Sequence, residues 1–370
     1  MPADLRLGNI TNLDVGQAVD ALANAYGAVI RAGLPLRLLP SVMLWGPPGV
    51  GKSQGVRQLG ARIAAECGKR VSITDVRLLL FNPIDLRGIP TANADKTLAV
   101  WLRPQIFEMD GGEDVVNILF LDEISAAPQS VQAAAYQITL DRRVGEHALP
   151  ENCIVIAAGN RVTDKSVAVK MPKALANRLC HFEIREDFES WRAWAVRQGI
   201  HEKVVAFLSC RPDFLMQFST ENDDLAFATP RAWEMVSNIL NYVSDDVGAV
   251  YPLISGCIGG GAAFEFRSWN DLYARLPDVE AIFAGKSVPV PREADLLYAT
   301  VSALAAHARK HIDDRQGIAH SLAYAVKLPP DFATVLFRDY MSLSPELKNS
   351  LITMPDFSAW LAKNGRYFNR

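Results

Sequence analysis

An α/β half built on a largely parallel sheet, followed by an all-helical half, is the fold class this sequence predicts. Three observations predict it. Short β-prone runs at Val42–Trp45, Val71–Asp75, Val116–Leu121, Cys153–Ala158 and Cys180–Ile184 are interleaved with helical stretches at Gln54–Cys67 and Ala127–Leu140, the pattern of strands joined by crossover helices. Beyond about Ser190 the strand signal fades, and Trp191, Trp194, Val204, Phe207 and Leu208 read as helix, as do residues 231–243 and 292–312. The 370 residues, 49% apolar and 21% charged, are enough to bury one large or two ordinary cores without staples.

The elements follow in order. A helix opens at Asp14, with Gln17 three residues on as a capping box. Val15, Val19, Leu22, Tyr26, Val29 and Ile30 then share one face at helical spacing. A Gly-Leu-Pro break leads to Val42–Trp45, which runs into a glycine-rich turn. Between the second and third strands, Leu80–Pro90 and Trp101–Pro104 carry Pro and Gly punctuation that forbids a long helix. Ile138–Pro150 suggests a hairpin turning at Val144-Gly145-Glu146-His147. The run Gly256–Gly261 is glycine-rich but lacks a following Lys-Ser/Thr or a preceding strand, and reads as an interhelical turn.

Charge and cysteine usage exclude several classes. Lys+Arg 38 against Asp+Glu 41 gives a formal net charge of −3, unlike a protein that coats nucleic acid. Five cysteines without a C-x-x-C spacing fit inert thiols in a reducing compartment better than a disulfide frame or a zinc site. No uninterrupted apolar window of about 18 residues is present, so no membrane span is expected, and the N-terminus shows no signal-peptide pattern. A soluble cytoplasmic protein is the default. His307 and His311 share a helix face, but Arg309 and Lys310 lie between them, and a solvated basic face is the better reading.

The chemistry lies in two motifs. Gly46-Pro47-Pro48-Gly49-Val50-Gly51-Lys52-Ser53, followed by Gln54, matches G-x-x-x-x-G-K-[ST] between a predicted strand and a predicted helix. Glycines let backbone N–H groups turn inward around phosphate oxygens at a helix N-terminus. Lys52 then reaches the β- and γ-phosphates, and Ser53 ligates Mg²⁺. Ile118-Leu119-Phe120-Leu121-Asp122-Glu123 is a buried strand that ends in two carboxylates. Beside a phosphate loop these have roles: Asp122 in the Mg²⁺ shell, Glu123 on the attacking water.

Taken together, these motifs resemble an AAA+ ATPase, and in detail its MoxR branch, over residues ~10 to 270. In that resemblance Gly46–Ser53 is Walker A and Leu119–Glu123 Walker B. Ile154–Asn160 is similar to the sensor 1 strand ending in Asn160. Ala174-Leu175-Ala176-Asn177-Arg178 resembles the segment carrying the arginine finger, with Arg142, Arg143 and Arg161 as rivals. Ala228-Thr229-Pro230-Arg231-Ala232-Trp233 resembles sensor 2. The resemblance implies a five-stranded sheet of order 5-1-4-3-2 and a helical lid. The expected division is 1–188 for the α/β domain, 189–270 for the lid and 271–370 for a helical extension. It also implies ATP and ADP as ligands with Mg²⁺, an insert near the pore of a homo-oligomeric ring (most often a hexamer), a protein client, and a partner bearing a von Willebrand factor A domain. The alternatives are a nucleic-acid motor or loader of the same fold, and a nucleotide-locked assembly scaffold; the intact Glu123 argues against the scaffold.

Overall fold

The computed structural model describes residues 10–161, 171, 176–218, 224–273 and 275–368. It divides into two compact units, Met1–Asp187 and Phe188–Arg370.

The first unit begins with β1 (Thr11–Leu13) and α1 (Val15–Arg31). The capping box is formed: Gln17 N–H donates to Asp14 Oδ1 at 2.9 Å, and the Asp14 N–H to Gln17 Oε1 at 3.2 Å. Val19, Leu22 and Tyr26 are buried on the predicted face. Then come β2 (Val42–Trp45), α2 (Lys52–Cys67) and β3 (Arg70–Arg77), with α2 stopped by Gly68 in the left-handed conformation. After an insert follow β6 (Val115–Asp122), α4 (Gln129–Asp141), β9 (Cys153–Gly159) and β10 (Cys180–Ile184). In β6 every residue but Asp122 is buried, and β9 is buried throughout, as a central strand covered on both faces requires.

The sheet is wholly parallel and runs β1-β10-β2-β9-β6-β3. Counting only the five predicted strands, this is 5-1-4-3-2. The expected five strands are corrected to six: Thr11–Leu13 adds an edge strand along β10, Thr11 opposite Phe182 and Leu13 opposite Ile184. Three residues, two of them polar, are too few to show a period of two, so only pairing defines this strand.

The insert contains a short helix, α3 (Pro83–Arg87), and an antiparallel hairpin of β4 (Ile89–Ala92) with β5 (Ala99–Leu102). A second hairpin, β7 (Arg143–Val144) with β8 (His147–Ala148), turns at Gly145. The two touch: His147 Nε2 bonds the Trp101 carbonyl at 2.8 Å.

The second unit is all helical: α5 (Phe188–Gln198), α6 (Glu202–Cys210), α7 (Pro230–Tyr242), α8 (Tyr251–Ile258), α9 (Gly260–Tyr273), α10 (Val279–Phe283), α11 (Ala294–Lys310), α12 (Arg315–Ala325), α13 (Pro330–Leu343), α14 (Pro345–Thr353) and α15 (Pro355–Phe368). The run Gly256–Gly261 is the junction of α8 and α9, where Gly259 has φ +83°. Two apolar cores fill the unit. One gathers Phe207, Trp233, Phe266 and Trp269, and the other Leu304, Leu336, Phe337 and Tyr340. A buried ion pair joins α5 to α13: Arg192 Nη2 donates to Asp339 Oδ2 at 2.6 Å, and Arg192 also bonds Ser209. No helix among the described residues is long and apolar enough to cross a membrane.

Burial raises the Asp339 pKa from its ordinary value, and Arg192 opposes that rise. Arg192→Met strands the carboxylate and should cost about 3–5 kcal/mol in chemical denaturation. A carboxyl whose folded pKa is raised costs stability as pH rises above its unfolded pKa. The loss should therefore be greater at pH 8 than at pH 5.

Candidate functional site

The carboxyl ends of β2, β9 and β6 meet at one edge of the sheet, where β2 runs into the glycine loop. Gly49 and Gly51 take φ +78° and +109°. At Gly46 the requirement is also steric, since a Cβ there would stand 2.6 Å from the Ile184 carbonyl oxygen. Helix α2 begins with no side-chain cap and no acidic residue in its first turn. Its leading N–H groups and the positive end of its dipole are thus left for an anion.

Lys52 crosses the loop. Its Nζ donates to Gly46 O at 2.7 Å, Pro47 O at 3.0 Å and Asn160 Oδ1 at 3.0 Å. These three oxygens hold the ammonium in place across the loop. Ser53 Oγ donates to Asp122 Oδ2 at 2.9 Å, while Asp122 Oδ1 accepts the Glu123 N–H at 2.9 Å. That bond accompanies a backbone bend: Glu123 sits at φ +59°, a conformation that costs a non-glycine residue about 1 kcal/mol or more. Asn160 is held in turn by its N–H, which donates to Ser125 Oγ at 2.9 Å. Gly159 makes this approach possible, because a Cβ there would lie 2.9 Å from both Ser125 Oγ and Met43 Cε.

The structure thus joins Lys52, Ser53, Asp122 and Asn160 by direct hydrogen bonds, with Glu123 next in chain. Gly46 and Pro47 contact Lys52, and Pro48, Gly49, Val50 and Gly51 complete the loop. Gln54, in the first turn of α2, accepts a long hydrogen bond from Arg57 at 3.5 Å. Arg178 is not drawn into this cluster: it is exposed on the turn before β10 and, among the described residues, has no hydrogen bond or ion pair. Ala174 and Leu175 lie outside the described residues. Arg231 is an exposed residue in the first turn of α7, in the other unit, where Thr229 caps the helix by accepting the Ala232 N–H at 3.0 Å. Of the rival arginines, Arg142 is spent on the carbonyls of Cys153 and Leu39, Arg143 on Glu146 O, and Arg161 on Glu183 at 2.6 Å.

Sequence reasoning missed Ser125 and Asp75. Asp75, on β3, has its pKa raised by burial and by the nearby charge of Asp122; Arg57 lies 4.0 Å from it. Its only sequence signal was a carboxylate inside a strand. The Ser53 hydroxyl and the Asp122 carboxylate, bonded to one another, are oxygen donors of the kind Mg²⁺ takes when it keeps several of its waters.

A glycine loop on a parallel α/β sheet of this order, with a lysine across the loop and Ser53 bonded to a strand-end aspartate, defines a P-loop nucleotide-binding module of the AAA fold. Residues 41–181 match the family model described as ATPase family associated with various cellular activities (AAA), so this segment is similar to the AAA ATPases. Among solved structures the chain is similar to a proposed ATPase of Cytophaga hutchinsonii, with 16% identity over 86% of this chain and 79% of that one, TM-score 0.32. A RuvB variant of Thermotoga maritima matches with 15% identity over 80% and 86% of the two chains, TM-score 0.33. None of the curated proteins compared matches the chain.

Lys52→Ala removes the cation from the phosphate cradle. It should weaken ADP binding tenfold or more, about 1.4 kcal/mol, by isothermal titration calorimetry, with the thermal unfolding midpoint of the ligand-free protein nearly unchanged.

Proposed function

We propose that this protein is a Mg²⁺-dependent ATP hydrolase that works as a ring, most often a hexamer, and remodels a protein client. The observation that carries the hydrolase is the hydrogen-bonded convergence of Lys52, Ser53, Asp122 and Asn160 on the glycine loop. A lysine, a hydroxyl and a carboxylate at a loop of backbone N–H groups are what a triphosphate asks for.

In this reading Gly46–Gln54 cradle the phosphates, and Lys52 sets its charge against the β- and γ-oxygens. Ser53 and Asp122 hold Mg²⁺, which when bound offsets the charge of the phosphate oxygens. Glu123 stands beyond the strand end on its left-handed backbone, where its carboxylate takes the proton of the attacking water. The Asn160 side chain orients that water. Inorganic phosphate leaves, and ADP remains on the loop.

Arg178 acts as the finger, reaching the γ-phosphate held by a neighbouring subunit. Its exposure, and the lack of a hydrogen bond or ion pair to it among the described residues, suit that role, whereas Arg142, Arg143 and Arg161 are engaged at home. Arg231 acts as the lid arginine. We assign 189–270 as the lid and 271–370 as a helical extension, and the insert hairpin to the pore-facing part of the ring. The resemblance to the MoxR branch supports a chaperone role with a partner bearing a von Willebrand factor A domain. The five unpaired cysteines suit the cytoplasm.

The test is phosphate release per protomer across a hundredfold range of protein concentration. Specific activity should rise with concentration as rings assemble. Glu123→Gln should abolish turnover while keeping ATP bound, and Arg178→Ala should lower it by ~10³-fold or more. Activity that is flat with concentration, together with a fully active Arg178→Ala, would refute the ring ATPase.

A further inference from the structure

We propose that Trp45 and His181 form a strut through which the glycine loop sets the position of Arg178. This rests on the finger role assigned to Arg178 above. Trp45 immediately precedes Gly46. Its indole Nε1–H donates to His181 Nδ1 at 2.9 Å, and the two rings lie nearly coplanar, with centroids 6.1 Å apart and planes 13° apart. The opposite ring nitrogen, Nε2, bonds the Ala176 carbonyl at 2.7 Å. An indole N–H can only donate and a carbonyl can only accept. The two bonds therefore fix one neutral tautomer of His181, with the proton on Nε2.

The far end of the relay is the backbone two residues before Arg178. Arg178 has no side-chain partner among the described residues, so its position depends on that backbone. The near end is equally constrained. Cys180–Glu183 pair in register with Val42–Trp45, and Gly46 lies so close to the Ile184 carbonyl that a Cβ cannot fit. A shift of the loop's first residues must then move Trp45, His181 and the Ala176 turn together. Packing alone does not call for this pair. Both side chains are only half-buried, and the strands are already held by their ladder. The polar relay adds a directional link from the phosphate loop to the arginine turn.

The experiment compares Trp45→Phe, which keeps a ring and removes the N–H, with His181→Phe, Arg178→Ala and the double variant His181→Phe/Arg178→Ala. Each is assayed for kcat and KM at protein concentrations where activity per protomer has reached its plateau. Circular dichroism and the unfolding midpoint verify that each variant is folded. Both strut variants should lose between ~10- and 100-fold in kcat, as expected for a misplaced catalytic group, with KM for ATP within twofold of wild type. His181→Phe should cause no further loss once Arg178 is gone. Fully active strut variants beside an inactive Arg178→Ala overturn the strut alone. Equal losses from His181→Phe with and without Arg178 also overturn it, because the pair then acts on the loop by another route. A fully active Arg178→Ala overturns the finger assignment itself, and the strut with it.

Discussion

Parallel register is the constraint on which the site depends. Trp45 stands opposite Gly159, Trp45 also opposite Glu183, and Arg77 opposite Asp122. The strands that carry the glycine loop, the carboxylate pair and Asn160 therefore end at one edge of the sheet, the edge where open α/β sheets place their ligands. Lys52 and Ser53, adjacent on α2, reach two different strands, one to Asn160 and the other to Asp122. One residue of slip is about 3.3 Å and turns every side chain to the other face. Either effect exceeds the tolerance of a 3 Å hydrogen bond, so both links hold only in the observed register.

The second organising fact is the gathering of carboxylates at and beside the end of β6. Asp122 spends one oxygen on Ser53 and the other on a backbone N–H. Asp75, on β3, has its pKa raised first by burial and then by the charge of Asp122. Glu123 adds a third carboxylate next in chain. Against these stand Lys52, which bonds Gly46 O, Pro47 O and Asn160 Oδ1, and Arg77 and Arg57, whose charges act on Asp75.

The helical unit is organised differently. Its two cores meet on α11: Ala299 belongs to the first, while Leu297, Val301 and Leu304 belong to the second. Leu343, on α13, packs against both. Arg192 and Asp339 then tie α5 to α13, and each is 4% exposed or less. Such a pair adds little net stability over an apolar isostere, but it penalises any packing that separates its members. The helices beyond residue 270 are thus bound into the same compact body as those before it. They do not form an appendage.

What this sequence determined by itself was local: the Asp14–Gln17 capping box, the glycine spacing around Lys52, the buried run ending in Asp122 and Glu123, and the alternation of strands with helices. Each depends on neighbours in the chain, through turn geometry, helix capping or periodicity, and each was legible for that reason. The edge strand Thr11–Leu13 was not, because three residues carry no period and its partner lies at Phe182. Nor were Asp75 and Ser125 as companions of Asp122 and Asn160, since nothing in a strand interior or a loop serine announces which strand end it will face. The Trp45–His181 bond spans 136 positions. The tertiary structure decided it, together with the six-strand order and the engagement of Arg142 and Arg161, because only the folded sheet sets which distant side chains come within hydrogen-bond reach.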